Sequence, residues 1–449
     1  MSRKKISQES MEGLGLNKLA RNVGSTLGRQ LLSGLLQLIT VVIIARVYGA
    51  AINGSYALAL LLPSMLATFL NLGIGPANVY YLGSSQVAPR TALLTASKFV
   101  VLLSVIGLVF GGLLVELKSE VFFPGINTLA LWLGLLGFPI SLMQGFISSI
   151  FQGLQKFKAF NLVLFAQPAI TLMLVMSLVV LGNNDLYLLV VAYLVAGVIT
   201  LLLSYWVLKK YISVTKGELE GGYSKKAIGY GYKAHLSNVM AFVNYKADIF
   251  LVNFFLNPAS TGVYVIAVQL SERLWMFSQS ISTVLLPRLS ELSSDKDKRE
   301  LITPLITRFT LFFTVLISIV FALAARPFIS IVFGNEYDGV LAPLLILLPG
   351  IVLTSGSRIL SNDLAARGKP ELNFYAAIIV VFCNIIINII LIPSLGLTGA
   401  AIATTTAYSI NFIIKVFMYR YFSAVPIQDL IWVKANDLER LRAFVFSKG

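Results

Sequence analysis

Five basic side chains, Arg29, Lys233, Lys246, Arg273 and Arg358, and three acidic ones, Asp248, Glu272 and Asp363, fall inside stretches of sequence that are otherwise apolar. A charge at the centre of a bilayer costs at least about 2.5–3.5 kcal/mol on insertion scales, so each of these residues implies a partner. Two kinds of chemistry would supply one. A guanidinium presents a planar fork of donors that suits phosphate, and such charge-assisted bonds gain strength in low dielectric. A buried carboxylate can exchange a proton or a cation between two conformational states and bias their equilibrium. Because the bases outnumber the acids, pairing among them leaves net positive charge, for which an anionic ligand group is the simplest partner. The structural alternative is that these groups tie helix to helix, Asp248 to Lys246 or Arg273 for example, at roughly 0.6–2 kcal/mol per contact. Lys233, Arg308 and Arg358 have the further alternative of reaching water by snorkelling.

Neutral polar residues fall in register with the charges. Ser25, Arg29, Ser33, Gln37 and Thr40 recur at intervals of four, four, four and three, which puts them on one helix face. Lys233, Ser237, Asn244 and Asp248 make a similar stripe, with Lys246 slightly off the face, and Gln269, Glu272, Arg273 and Gln279 cluster in the next apolar stretch. Thr354, Arg358 and Ser361 share another face, as do Gln144, Ser148 and Gln152. The candidate ligand contacts are therefore Arg29, Ser33, Gln37, Lys233, Asn244, Lys246, Arg273 and Arg358. Asp248 and Glu272 are the candidates for coupling to an ion. No catalytic residue and no metal site is expected.

The elements that position these residues are long apolar helices. Of 449 residues, 57% are hydrophobic and 12% charged, about half the ~25% charge of soluble domains, so the apolar surface must face lipid. One cysteine, Cys383, and one histidine, His235, exclude a disulfide framework and a Cys/His metal site. The basic start, MSRKKISQES, leads into a stretch that contains Arg29 and Gln30 and lacks a small-residue cleavage site, so it reads as an uncleaved segment. Runs of roughly 20 apolar residues predict spans near 24–46, 54–72, 93–115, 127–151, 161–181, 186–208, 232–256, 262–286, 303–324, 339–362, 372–392 and 397–418.

Alternate connections between these twelve spans, with the two termini, carry 25 Lys and Arg residues; the opposite set carries Arg46, Lys118 and Arg326. That asymmetry predicts both termini on the cytoplasmic side and an even number of spans. The formal charge of +15 is then mostly topology, and no nucleic-acid partner is expected.

The sequence also repeats. RVYGAAINGSYALA from Arg46 aligns without a gap on FFLNPASTGVYVIA from Phe254, so that Gly54, Tyr56 and Ala59 recur 208 positions later as Gly262, Tyr264 and Ala267. QKFKAFN from Gln155 resembles RGKPELN from Arg367, with Asn161 falling on Asn373 at an offset of 212. Two matches at nearly one offset predict two parallel six-helix halves related by an axis along the membrane normal. The division is 1–208, a cytoplasmic linker at 209–231, 232–418, and a tail at 419–449 that reads as a surface amphipathic helix or as an unstructured end.

At these residues the chain resembles the Wzx-type oligosaccharide flippases of the multidrug/oligosaccharidyl-lipid/polysaccharide exporter superfamily. The resemblance rests on LARNVGSTLGRQLLSGLLQLITVVIIARVYG, on KADIFLVNFFLNPASTGVYVIA with its Asp248 and Gly262-Val263-Tyr264, and on LIPSLGLTGAAIATTTAYSI from Leu391. It implies an all-α polytopic membrane protein of about twelve transmembrane helices in two lobes around a V-shaped central cavity. It implies flipping of undecaprenyl-diphosphate-linked oligosaccharide units from the cytoplasmic to the outer leaflet of the cell inner membrane. The cationic residues above would then meet diphosphate or sugar, driven by a proton or sodium gradient and with no cofactor. Membrane lipid and polysaccharide polymerase machinery are the expected partners, and a monomer would suffice. A multidrug or cation antiporter is the nearest alternative, although a cationic cavity does not suit cationic drugs. A membrane glycan polymerase or ligase would need catalytic groups in a sizeable outer loop; the largest, near 325–338, offers only Arg326, Glu336 and Asp338. No GxxxxGK[ST] loop occurs, so the chain itself does not hydrolyse ATP.

Overall fold

The structure, a computed structural model, describes residues 16–212, 222–291, 296–423, 425–434 and 437. Every regular element among them is helical: α1 (Leu16–Leu70), α2 (Ile74–Gly83), α3 (Pro89–Phe122), α4 (Thr128–Gly153), α5 (Phe157–Val180), α6 (Leu186–Ile212), α7 (Tyr223–Phe255), α8 (Pro258–Arg273), α9 (Trp275–Glu291), α10 (Lys296–Val332), a 3-10 turn (Asn335–Val340), α11 (Leu341–Ala366), α12 (Pro370–Phe422) and the short α13 (Gln428–Ile431). Pro63, Pro139 and Pro168 lie inside helices, as expected, which lipid-embedded helices tolerate because neighbours satisfy the freed carbonyls.

Among the described residues, eight helices are long and apolar enough to cross a membrane. Two of these hold two spans each. In α1 the loop expected between the first and second spans shrinks to Gly49, whose φ of 79° breaks the helix in one step; α12 breaks the same way at Gly396, with φ 60°. Both breaks use the backbone region that a Cβ disfavours. Dividing the eight at these two glycines gives ten segments among the described residues; α7 and the α8–α9 pair, which cover the seventh and eighth predicted spans, are not among the helices that are long and apolar enough. The eighth predicted span, 262–286, is not continuous: α8 ends at Arg273, Leu274 makes a turn to the Ser271 carbonyl (3.1 Å), and α9 starts at Trp275. A further helix, α2, occupies sequence read as a connection.

The chain forms two compact units that cut across the division drawn at residue 232. The first is Gly28–Ile266 with Ile329–Gly339, so α7 and the start of α8 belong with the N-terminal helices. Its packing relies on residues without side chains: a Cβ on Gly134 of α4 would lie 2.1 Å from the Ala59 carbonyl oxygen of α1, a backbone approach that only small residues permit. Around it Ile44, Tyr48, Tyr56, Val175, Leu189 and Val190 form a buried cluster. The other unit comprises Ala267–Phe328 and the described residues after Val340, with those of α1 that precede Gly28. There Gly350 and Gly356 let α11 approach Thr405, Tyr408 and Phe412 of α12. Large apolar residues such as Leu117, Val180 and Leu323 remain exposed on the helix surfaces, the faces that lipid covers.

The repeat has a structural counterpart inside the first unit. Gly54 and Gly262 touch: a Cβ on Gly54 would lie 1.8 Å from the Pro258 carbonyl oxygen, and one on Gly262 would lie 2.1 Å from that of Ala50. Ala50 and Pro258 are themselves 208 positions apart, so each glycine meets the repeat partner of the residue that the other meets. That is the contact pattern of a local two-fold axis. Asn53 locks it by donating from Nδ2 to the Gly262 carbonyl (3.2 Å).

The stretch near 325–338, expected as an outer loop, seals the break at Gly49. The Glu336 carboxylate accepts from the Ala50 amide (3.1 Å), the Tyr337 hydroxyl donates to the Ala45 carbonyl (3.2 Å), and the Arg46 guanidinium donates to the Ile331 carbonyl (2.5 Å). Glu336 thus caps the N-terminus of the second half of α1, where an anion is favoured. Glu336→Ala is expected to lower stability by about 1 kcal/mol, read as a reduced melting temperature in detergent, while Glu336→Gln, which keeps the acceptor, recovers most of it. An unchanged melting temperature in the alanine variant refutes the cap.

Most of the predicted amphipathic tail helix, Pro426–Gly449, lies outside the described residues. Between Pro426 and Lys434 there is one helical turn whose Leu430 is buried among Leu311, Leu360, Phe412, Val416 and Tyr419; residues 438–449 lie outside the described set, as do linker residues 213–221.

Candidate functional site

The first unit holds Arg29, Ser33, Gln37, Asn244, Lys246 and Asp248. Arg29 is half-buried, and its Nε is enclosed without a hydrogen-bond partner among the described residues; the hydroxyl of Ser33, 4% exposed, is in the same state. Four residues on, Gln37 is exposed, so the α1 stripe passes from an enclosed to an open environment. Asn244 and Lys246 on α7 are half-buried. Lys233 lies on α7, and its side chain is outside the described set.

Asp248, 2% exposed, has a partner that the sequence did not reveal: its Oδ2 accepts from the hydroxyl of the fully buried Tyr264 on α8 (2.9 Å), and its Oδ1 from the Ile249 amide (2.8 Å). Tyr264 was visible in the repeat, where it matches Tyr56, but nothing in the spacing joined it to a carboxylate. The bond ties α7 to α8 as well as holding the acid.

The other unit holds Glu272, Arg273 and Arg358. Glu272 and Arg273 are half-buried at the end of α8, beside the break at Leu274, and the Arg273 Nε, like that of Arg29, is buried without a hydrogen-bond partner among the described residues. Arg358 does not simply snorkel. Its guanidinium carbon sits 5.6 Å from the centre of the Trp275 ring, itself 5.8 Å from the ring of Tyr408. Sequence reading missed Trp275; its one signal was a tryptophan two residues after an intramembrane arginine. A cation over an aromatic face is a favourable pairing, and the combination can meet an anion and a flat apolar surface side by side.

Other intramembrane charges have structural partners. Asp363, fully buried, accepts from Thr303 Oγ1 (2.9 Å) and from Arg367 Nε, with Arg299 Nε at 3.9 Å. Arg308 makes a two-pronged ion pair with buried Asp437 and donates to the Asp429 carbonyl (2.7 Å). Lys415, also buried and unremarked in the sequence, donates to Asn373, the repeat partner of Asn161. The acid Asp363 is therefore occupied by its own unit, whereas Arg29 and Arg273 each keep a buried Nε without a hydrogen-bond partner among the described residues, as Arg367 does at Nη2. Among the described residues no group of three or more His, Cys, Asp or Glu could hold a metal ion.

Comparison with known proteins places this architecture. The profile of a family described as polysaccharide biosynthesis protein matches residues 19–293. A probable low-salt glycan biosynthesis flippase of Haloferax volcanii is 27% identical over 195 residues, and a capsular polysaccharide biosynthesis protein of Staphylococcus aureus is 30% identical over 165. These alignments cover 42% and 36% of the chain and only 41% and 40% of the two relatives. An uncharacterized membrane protein of Methanocaldococcus jannaschii aligns more fully, 25% identical over 371 residues, covering 78% of the chain and 86% of that protein. In fold, a lipid II flippase in an inward-closed conformation superposes with a TM-score of 0.75 at 18% identity, covering 94% of the chain and 92% of that structure. An inward-facing multidrug resistance transporter of the MOP superfamily follows at 0.72 and 15%, covering 88% and 98%. Eight apolar helices long enough to span, an all-helical fold shared with these transporters, and a profile match over more than half the chain lead to one conclusion: the chain is a multi-pass membrane protein and belongs to the polysaccharide biosynthesis protein family.

Proposed function

We propose that the protein is a transporter rather than an enzyme, a flippase that carries undecaprenyl-diphosphate-linked oligosaccharide units from the cytoplasmic to the outer leaflet of the cell inner membrane by alternating access. The observation that carries the reading is the pair Arg29, in the long apolar α1, and Arg273, at the end of α8, whose buried Nε donors have no hydrogen-bond partner among the described residues. An unmet guanidinium donor in a low-dielectric setting is a strong attractor for phosphate. Arg29 and Ser33 lie in the first unit, and Arg273 and the Trp275–Arg358 pair lie in the other. Relatives described as glycan, capsular polysaccharide and lipid II proteins support the cargo class, and the fold occurs in inward-facing and outward-facing transporters. Keeping the lipid tail in the bilayer avoids moving its CH₂ groups into water at ~0.8 kcal/mol each, so only the polar head needs a protected route. Asp248 or Glu272 couples the cycle to a proton or sodium gradient.

The test is flipping of a lipid-diphosphate oligosaccharide in proteoliposomes, with wild type, Arg29→Ala and Arg273→Ala at matched folded amounts. Removing one charge-assisted interaction of about 1.5–3 kcal/mol slows flipping roughly tenfold or more in each variant. Wild-type transport of drug cations without lipid flipping refutes the reading, and undiminished ion-dependent flipping by Asp248→Asn removes that residue from the coupling.

A further inference from the structure

Four tyrosines from α2 and the start of α7 form one cluster within the first unit. Tyr80 and Tyr230 stack at 4.4 Å between ring centres and 15° between planes, Tyr81 meets both edge-on at 5.1 and 5.8 Å, and Tyr223 meets Tyr81 edge-on at 5.7 Å. The cluster is anchored from below. The Tyr223 hydroxyl donates to Asn78 Oδ1 (2.8 Å), and Asn78 Nδ2 donates to Ser149 Oγ (3.0 Å), with all three side chains buried. The two helices also approach closely where Gly73, at the start of α2, meets Gly231 inside α7: a Cβ on Gly73 would lie 2.0 Å from the Gly231 carbonyl oxygen, and one on Gly231 would lie 2.3 Å from that of Gly73. Despite this support, Tyr80 and Tyr230 keep 46% and 42% of their surface exposed. Lys226 lies one helical turn before Tyr230, on the same face of α7, with Lys225 beside it, both exposed.

A tyrosine that merely marks a membrane interface needs an apolar body in lipid and a polar tip among headgroups; it needs neither a stacking partner nor a buried chain of hydrogen bonds. Fixed, half-exposed aromatic rings beside lysines suit a ligand that has an apolar ring face and an anionic group together. A sugar linked to a diphosphate has both: the C–H face of a pyranose lies flat on an aromatic ring, and the diphosphate meets the ammonium groups. The stretches that hold the cluster flank connections of the Lys/Arg-rich set, the side on which the cargo would be loaded.

We infer that the Tyr80–Tyr230 pair is a glycan-recognition platform that selects lipid-linked cargo by its first sugars before transport. The inference rests on the flippase reading and adds a specificity site outside the arginines. It is tested by binding in nanodiscs with two probes, undecaprenyl diphosphate and undecaprenyl-diphosphate N-acetylglucosamine, using wild type, Tyr80→Ala/Tyr230→Ala and Tyr80→Phe/Tyr230→Phe. The expected result is tighter wild-type binding of the sugar-bearing lipid. The alanine pair should lose that preference by roughly three- to tenfold, the size of an aromatic contact, with sugar-free binding and melting temperature unchanged. The phenylalanine pair should keep it. Equal loss for both probes makes the cluster an interfacial anchor and overturns the platform. Equal wild-type affinity for the two probes overturns it while leaving the flippase reading intact, whereas wild-type binding of neither probe overturns both.

Discussion

Gly54→Val leaves almost no folded protein in the membrane, and Gly262→Val does the same. At Gly54 even the first added carbon falls 1.8 Å from a backbone carbonyl oxygen, with a second backbone atom, the Gly262 nitrogen, at 2.7 Å. No rotamer change relieves this, because the obstacles belong to helix backbones. The helices must separate, which breaks the bond from Asn53 to the Gly262 carbonyl. Overpacking in ordinary cores costs about 1–3 kcal/mol; a clash between two backbones exceeds that range, so the effect is read as lost monodisperse yield on size exclusion rather than as a shifted melt. Gly28→Val is the control, since among the described residues no atom beyond its own stretch of helix lies within 4 Å of its added Cβ. Normal yield and melting temperature for Gly54→Val would falsify the close contact.

The second large effect concerns the buried ion pair between Arg308 on α10 and Asp437. Asp437→Asn leaves a buried guanidinium without its counter-charge, which costs about 3–5 kcal/mol when a buried pair is broken from one side. The Asp437 carboxylate also accepts from the Lys434 amide (2.7 Å), and Lys434 pairs with Asp429 (2.7 Å), so the loss spreads through the segment that carries Leu430 into the core. Thermal melts of the full chain should fall steeply for Asp437→Asn and for Arg308→Met alone. The double variant Arg308→Met/Asp437→Leu should recover much of the loss, because replacing both charges removes the desolvation problem that each single variant leaves behind. A double variant no better than the singles shows that the pair contributes attraction in excess of its desolvation.

What the sequence made legible was whatever obeys a local period. The α1 stripe through Arg29, Ser33 and Gln37 was readable because helix geometry puts residues four apart on one face, and the apolar runs were readable because lipid demands them. Partners were a different matter. Tyr264 reaches Asp248, Lys415 reaches Asn373 and Trp275 reaches Arg358 only through tertiary packing, which no spacing rule encodes. The breaks divided the same way: Gly49 and Gly396 sat where a turn was expected, but the interruption at Leu274 carries neither glycine nor proline and was read as continuous helix. The boundary at residue 232 followed the repeat, whereas compactness follows contacts, and α7 spends its contacts on α2 and α3. The arginines were found because charge in lipid is costly; that two of them keep a buried Nε without a partner among the described residues was visible only in the fold.

The two-fold contact at Gly54 and Gly262 also bears on ancestry. Two copies of a single half-length chain would meet across such an axis with the same glycine from each, and one sequence would then serve both sides. Once two such copies are fused into one chain, the two sides can differ, as Ala50 and Pro258 do, but only within what the opposing backbone admits. The glycines therefore behave as one inherited unit: neither can gain a side chain unless the helix carrying the other moves, and a lineage that alters one must repack both.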